Sequence, residues 1–383
     1  MFDDVWETIQ ARYYDPGHNG IDWQAKRNAF RPVAAKANSV YELYEVLRQM
    51  IASLKDAHTR VYSPDEKFDW WNPRYVTVGL TIREIEGTAV VVQVESGSAA
   101  AKTEIRPGDA IVSVDDVPVA QFISNRLETF VTRDAAARYR SIATLFDGQA
   151  GTSVKVGWTT RDGKSKSAVL PRYWTQRHLG FSTQRKGKVA ILRLDAFTQS
   201  VALEFSKALP DVLKGAERIV LDLRYNGGGD AEAMADVASL FLDDGINLGK
   251  FADRSGASFE LETYSKRLWR VPQLSRTRLP LVVLTSESTS SAAEIMVAAL
   301  QTKGRARVIG AGTCGCVLAI RNRHPLPDGG ILDVSEFDYR TAAGIRLEGR
   351  GIKPDETITP TRKDIYSRRD AALEVATHGF NGG

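Results

Sequence analysis

The apolar positions of this chain change their period twice, and the changes divide it into three regions. Over residues 1 to 73 they recur at helical spacing, and Phe2, Val5, Trp6, Ile9 and Tyr13 mark one face of an opening amphipathic helix. Leu43, Val46, Leu47, Met50, Ile51 and Leu54 mark another, introduced by Ser39 and Glu42 as a capping-box pair. Lys55 and Asp56 break that face, so His58 falls in a turn just past a helix C-terminus.

From 74 to 172 the period shortens to two. The runs YVTVGLTI, TAVVVQV, DAIVSV and SVKVGWTT read as short strands, with an Asp-Gly turn at Asp162 and Gly163. From 173 to 383 strands alternate with helices, which predicts an α/β layer structure. KVAILRL is a strand, and the helix after it buries Phe205, Leu209, Val212 and Leu213 before stopping at Lys214-Gly215. RIVLDLRYNGGGD reads as buried strand, glycine turn and helix start, the helix turning Val237, Leu240 and Phe241 inward. Residues 281–300, LVVLTSESTSSAAEIMVAAL, repeat that plan with Ser291 at or beside the helix N-cap. ARVIGAGTCGC continues as strand and glycine-rich loop, LDVSEFDYRTAAG is strand-like, and LEGRGIKPDE ends the ordered core.

A length of 383 residues fits two or three domains, and 43% apolar with 26% charged residues is ordinary for a globular protein. The net charge of +4 is dispersed. Its densest group (Lys164, Lys166, Arg172, Arg177, Arg185, Lys186) is interrupted throughout, which suits a solvated surface and not a nucleic-acid partner. No apolar run is long enough to cross a membrane. Two cysteines cannot make a disulfide framework or a four-ligand metal site, and the five histidines include no pair at helical spacing, so no metal or cofactor is expected. Cys314 and Cys316 are expected as free thiols, because a bridge between residues two apart would be strained. The chain opens without a signal-peptide pattern, which leaves either a cytoplasmic protein or one relieved of a leader for the periplasm or for secretion.

Candidate chemistry sits in the two strand-to-helix turns. A serine in Ser291's place can simply cap its helix, or it can be a nucleophile at a sheet edge beside free backbone N–H groups. The glycine run 227–229 lets a substrate approach the main chain, and its amides together with that of Ala292 can face one point where an oxyanion develops. The run lacks the GK[ST] ending of a phosphate loop and the GxGxxG spacing of a dinucleotide site. Asp230 fits a helix cap, and His18, His178, His324 and His378 lie in no motif and read as surface.

Arg106-Pro107-Gly108-Asp109, with Val78-Gly79-Leu80-Thr81 upstream, makes the middle region resemble a PDZ domain. In that module a peptide tail adds to an exposed strand edge, and the resemblance implies Val78, Gly79 and Leu80 as the loop that holds its carboxylate. From LDLRYNGGGD through STSSAAEI to EGRGIKPD the chain resembles the C-terminal processing, or tail-specific, serine proteases, a family that also contains the tricorn core protease. The resemblance implies a helical N-terminal part (1–73), a PDZ-like β domain (74–172) and an α/β protease core of strand-turn-helix units, ClpP/crotonase-like (173–383). It also implies Ser291 as nucleophile, three residues before the Glu of the AEI segment, with Gly228, Gly229 and Ala292 as oxyanion donors.

One departure decides the expected mechanism. The tail-specific branch takes its base from a lysine in a TFGK segment, and here that segment is Thr313-Cys314-Gly315-Cys316. A thiol is a better nucleophile than base. The tricorn-like branch uses a histidine from the N-terminal part, and Asp56-Ala57-His58-Thr59 falls where that motif belongs, although Ala57 replaces the serine that precedes the histidine there. The same branch implies Glu348, in LEGRGIKPD, as polar partner of His58, directly or through an intermediary. An imidazole with an ordinary pKa near ~6.5 is largely neutral at pH 7 and accepts a serine proton, whereas a lysine near ~10.4 first needs strong desolvation. The expected function is a serine endopeptidase acting on unfolded or C-terminal protein segments through an acyl-enzyme. The alternative is a catalytically inactive relative that binds peptide tails or small apolar ligands.

Overall fold

The computed structural model describes residues 1–67, 69, 72–127, 135–177, 179–263 and 276–378. They form two units, the first built from 1–65, 179–357 and the residues from 375 on, the second from 66–178 and 358–374. The segment 358–374, which follows the core in sequence, therefore packs with the second unit.

The first unit opens with α1 (Phe2–Arg12), α2 (Trp23–Ala34), α3 (Val40–Ala52) and the short strand β1 (Arg60–Tyr62). Trp6, Ile9, Tyr13, Leu47 and Met50 pack together with Leu332 and Val334, so the helical stripes bury against a strand from far along the chain. His18, expected at the surface, is buried with its ring stacked between those of Tyr13 (5.7 Å) and Trp23 (5.6 Å). Flanking aromatics give a neutral imidazole a dry, flat seat, and burial lowers its pKa accordingly.

The second unit holds β2 (Arg74–Thr77), β3 (Leu80–Ile85), β4 (Thr88–Val94), β5 (Ala110–Val114), β6 (Val117–Pro118), α4 (Val119–Leu127), α5 (Ala135–Ala143), β7 (Ser153–Thr159), β8 (Ser165–Pro171) and β9 (Tyr173–Gln176). β2 pairs with β9, and the main sheet runs β3-β4-β5-β7-β8 with β6 on β5, all antiparallel. Alternation along these strands places Ile82, Val91, Ile111, Val154 and Val156 in one core with α4 and α5 residues Ile123 and Ile142.

The core of the first unit continues with β10 (Phe181–Lys186), β11 (Val189–Leu194), α6 (Gln199–Leu213), β12 (Arg218–Asp222), α7 (Ala231–Ala238), β13 (Asn247–Asp253) and β14 (Ser258–Glu262). Next come β15 (Leu281–Thr285), α8 (Ala292–Thr302), β16 (Ala306–Gly310), β17 (Ala319–Pro325), β18 (Ile331–Arg340) and β19 (Glu356–Thr357). One sheet has the order β10-β11-β12-β15-β16-β19, parallel except for the β10–β11 pair. β15 is buried along its whole length, as a central parallel strand covered on both faces requires. A second, antiparallel sheet runs β1-β18-β13-β14 with β17 beside β18. α6, α7 and α8 bury Phe205, Val237 and Ile295 in one core with both sheets.

LEGRGIKPDE leads into β19, the last strand of the first unit, and the described chain continues past it. α9 (Arg362–Ser367) and α10 (Ala371–His378) follow, and α9 starts from a reciprocal capping pair of Thr361 and Asp364. Arg362 donates to the Gly108 carbonyl (3.0 Å), and the Tyr366 ring lies against Gly108. Gly108 has φ +96°, and a Cβ there would sit 2.3 Å from the Tyr366 ring. Gly108→Ala is expected to destabilise the second unit by about 2 kcal/mol or more, from backbone strain plus steric clash. Thermal melting measures it, and an unchanged transition would contradict the packing described.

Candidate active site

β12 and β15 are neighbours and parallel, so both chains turn at the same end of the sheet, where such sheets carry their sites. The two turns are stitched together by hydroxyls. Thr289 donates to the Leu223 carbonyl (2.8 Å), Ser288 to that of Arg224 (2.6 Å), and Ser286 also to that of Arg224. The Ser290 N–H adds a bond to the Asn226 carbonyl (3.1 Å). The crowding of Ser and Thr before α8 thus satisfies carbonyls that a strand leaving its sheet would strand without partners.

Glycine is required at two positions of the facing turn. Gly228 (φ +94°) lies so close to the turn before α8 that a Cβ would sit 2.6 Å from the Ser291 Cβ. Gly229 (φ +136°) is packed on the chain at Phe197, where a Cβ would meet the carbonyl oxygen at 2.1 Å. The Gly228 N–H donates to the Asn226 side-chain oxygen (2.8 Å) and is thereby occupied. Among the described residues the N–H groups of Gly229 and Ala292 are committed to no acceptor. Of the three amides expected to face an oxyanion, these two are available and that of Gly228 is spent on shaping the turn. Asp230 caps α7 by accepting the Ala233 N–H (2.7 Å).

Ser291 stands at the N-cap of α8 with φ 57° and ψ −127°, a backbone conformation that non-glycine residues adopt only when their surroundings enforce it. The enforcing contacts are visible. Its N–H is shared between the Cys316 carbonyl (2.8 Å) and the Glu294 carboxylate (3.1 Å). Glu294 is wholly buried and accepts four bonds, from Thr313 Oγ1 (2.5 Å), Gly315 N–H (2.7 Å), Cys316 N–H (2.9 Å) and Ser291 N–H. Burial raises its pKa, and the donors pull the other way.

Cys314 and Cys316, expected as thiols, are joined in a disulfide. Gly315 between them has φ +68°, which folds the chain back and brings the two Cα atoms to 5.2 Å, inside the usual bridging range. The residue at the family's lysine position therefore carries no proton to exchange.

Glu348 lies just past this loop and accepts the N–H groups of Val317 (2.7 Å) and Leu318 (3.1 Å). Part of the side chain reaches the surface, yet burial of the carboxylate pushes its pKa up to about 7, against the pull of the two amides and with a further rise from the Asp56 charge. Asp56 also anchors the loop of His58. Its carboxylate accepts the His58 N–H (2.7 Å), the Thr59 N–H (2.6 Å) and hydroxyl (2.8 Å), and the Ser335 hydroxyl (3.1 Å). The half-buried His58 is thus held on a fixed turn beside β18, and Asp56 links that turn electrostatically to Glu348. Sequence reasoning missed Asp56 and Glu294, although their short spacings, two before His58 and three after Ser291, were the available signal.

In the second unit Val78 is buried, the Gly79 N–H donates to Thr77 Oγ1 (3.0 Å), and Leu80 opens β3 opposite Val94. β3 is an edge of its sheet among the described residues, and Arg138 of α5 holds Glu84 of β3 in an ion pair, its Nε donating to both carboxylate oxygens (2.9 and 2.8 Å) and its Nη2 to Oε1. His324, also expected at the surface, is half-buried against Glu336 (3.1 Å), and His378 is exposed. His178 lies outside the described residues. Among the described residues no cluster of three or more metal-ligating side chains occurs, and no helix is long and apolar enough to cross a membrane.

Comparison with known proteins follows this layout. Family models match for the tricorn protease C1 domain over residues 1–52, the PDZ domain over 76–169 and peptidase family S41 over 188–358. The carboxyl-terminal-processing protease of Picosynechococcus is 29% identical over 361 residues, covering 92% of this chain and 81% of that protein. The structure of the photosystem II D1 C-terminal processing protease is similar at TM-score 0.57 and 25% identity, covering 94% of this chain and 92% of the other. Mature CPAF is similar in fold at TM-score 0.74 with 15% identity, covering 98% and 95%.

The raised pKa of Glu348 sets a stability signature. An acid whose folded pKa lies above its unfolded value contributes stability below the unfolded value that is lost as pH rises through the folded one. For Glu348 that window runs from its ordinary value of 4.5 up to about 7. Glu348→Gln, which keeps an acceptor for both amides, is expected to lose less Tm than the parent across that window. Parallel melts from pH 4.5 to 8 measure the difference, and curves that stay parallel would contradict the burial described.

Proposed function

The chain belongs to peptidase family S41 and is a serine-type peptidase, and on that premise we propose an endopeptidase that cleaves unfolded or C-terminal protein segments with Ser291 as nucleophile and His58 as general base. The observation that carries this reading is the junction of the two turns. Ser291 is held in an enforced conformation against Gly228, with the unused N–H groups of Gly229 and Ala292 beside it.

In this reading the Ser291 hydroxyl attacks the scissile carbonyl while His58 takes its proton. The carbonyl oxygen becomes an oxyanion that accepts the N–H groups of Gly229 and Ala292, each worth about 10²–10³ in rate. His58 returns the proton to the leaving amine, then activates the water that releases the acyl group from Ser291. Glu348 supports the imidazolium, directly or through an intermediary. A lysine base has no place at the family position, because Cys316 stands there in a disulfide. The PDZ-like unit presents tails at the β3 edge, with Val78, Gly79 and Leu80 nearest the carboxylate.

Ser291→Ala is expected to abolish covalent labelling by a fluorophosphonate and cleavage of tail peptides. His58→Ala is expected to lower kcat/KM by about 10²–10⁴ with binding retained. Both His58 and Glu348 must be deprotonated, so the acidic limb of the pH–rate profile should fall near pH 6–7 and be steeper than one proton, relaxing to one proton in Glu348→Gln. Full activity in His58→Ala, or a profile rising only above pH 9, would contradict the base assignment. Tail binding without labelling or turnover would make the chain a peptide-binding relative instead.

A further inference from the structure

The loop Cys314–Cys316 has no slack. The Cys314 N–H donates to the Thr289 carbonyl (2.9 Å), the Gly315 and Cys316 N–H groups to Glu294, and the Gly315 carbonyl accepts the Gly349 N–H (2.8 Å). The Cys316 carbonyl accepts the Ser291 N–H (2.8 Å). Gly315 is also packed so tightly on residues 349–351 that a Cβ would lie 2.9 Å from the Arg350 and Gly351 nitrogens. The disulfide closes this braced loop directly beneath the nucleophile.

Breaking the bond changes local geometry more than global stability. Two sulfurs no longer bonded must separate by more than about 1 Å, from covalent to non-bonded contact. The loop is held at Thr289, Glu294 and Gly349, so the movement falls on the Cys316 carbonyl and on Ser291, whose φ of 57° depends on that contact. A three-residue closure restricts the unfolded chain little, so its loss costs the whole fold little.

We propose that Cys314 and Cys316 form a thiol–disulfide modification site that sets the reactivity of Ser291, the oxidised pair holding the nucleophile in its attacking conformation and reduction releasing it. This rests on the reading of Ser291 as nucleophile. Both cysteines are buried, which selects a low-molecular-weight thiol or dithiol over a protein reductant. A dithiol's thiolate attacks one sulfur, forming a mixed disulfide and expelling the other cysteine as thiolate. The reagent's second thiol then closes its own disulfide and expels the remaining cysteine. Two electrons pass to the protein, and the two cysteine sulfurs end with the two protons.

The test uses the full chain. Alkylation under denaturing conditions without reductant should modify neither cysteine, and after dithiothreitol it should modify both. Fluorophosphonate labelling of Ser291 should slow by about tenfold to a hundredfold on reduction, recover on reoxidation with glutathione disulfide, and be slow and indifferent to reductant in Cys314→Ser and Cys316→Ser. Tm should move by no more than about 2–4 °C. Two alkylatable thiols before reduction, or equal labelling rates in the two states, would overturn the proposal. If Ser291 is unlabelled in every state, the nucleophile assignment fails separately. Hydrogen exchange of the Ser291 amide then decides the clamp, slower exchange in the oxidised protein supporting it and equal exchange overturning it.

Discussion

A single buried carboxylate organises the candidate active site. Glu294 has no exposed surface, and a charge there would cost several kcal/mol if its oxygens found no donors. Four donors meet it, one from Ser291 and three from residues 313–316. The helix start and the loop after β16 therefore cannot move independently. Thr313 extends the network by accepting the Ile352 N–H (2.7 Å), so the chain after Glu348 is drawn to the same point. The carboxylate acts as a hub because it offers only acceptors to a region rich in backbone amides with nowhere else to donate.

Around this hub, unfavourable backbone geometry is concentrated at Ser291 and the facing glycines. Ser291 occupies an unfavourable backbone region, offset by the bonds to its N–H, and Gly228 and Gly229 occupy conformations that any side chain would prevent. The hydroxyls of Ser286, Ser288 and Thr289 close the remaining gaps between two strands. The outcome is a turn at Ser291 whose shape is set by neighbours on every side, with two amides left uncommitted among the described residues. Preorganisation of that kind, more than any single residue type, lets backbone N–H groups stabilise a developing charge.

Much of this was legible from residue patterns. The 3.6-residue period placed α3 and α6, alternation placed the strands of the second unit, and the apolar runs at Ile219–Leu223 and Leu281–Thr285 marked buried strands of the α/β core. Features that depend on distant partners were not legible. The serine-rich turn reads as helix capping until Leu223 and Arg224, more than sixty positions earlier, are seen to receive its hydroxyls. The Cys314–Cys316 bridge looked strained by spacing alone, because the left-handed turn at Gly315 that permits it is set by tight packing against residues 349–351. His18 looked exposed because its aromatic seat joins two helices. α9 is too short to show a periodic stripe, so only the Thr361 and Asp364 capping pair could have announced it.

The central claim is that this braced turn aims Ser291 at a carbonyl whose oxygen is met by two specific amides, with an imidazole from the start of the chain in attendance. A crystal structure of the protein with a peptide boronate tests it most directly, since boron forms a tetrahedral adduct on an active serine. The account predicts boron bonded to the Ser291 Oγ, one boronate oxygen about 2.7–3.1 Å from the Gly229 and Ala292 nitrogens, and a His58 ring nitrogen within about 2.6–3.2 Å of the adduct. An adduct on another residue, or a His58 ring turned away with a different base in its place, would contradict it.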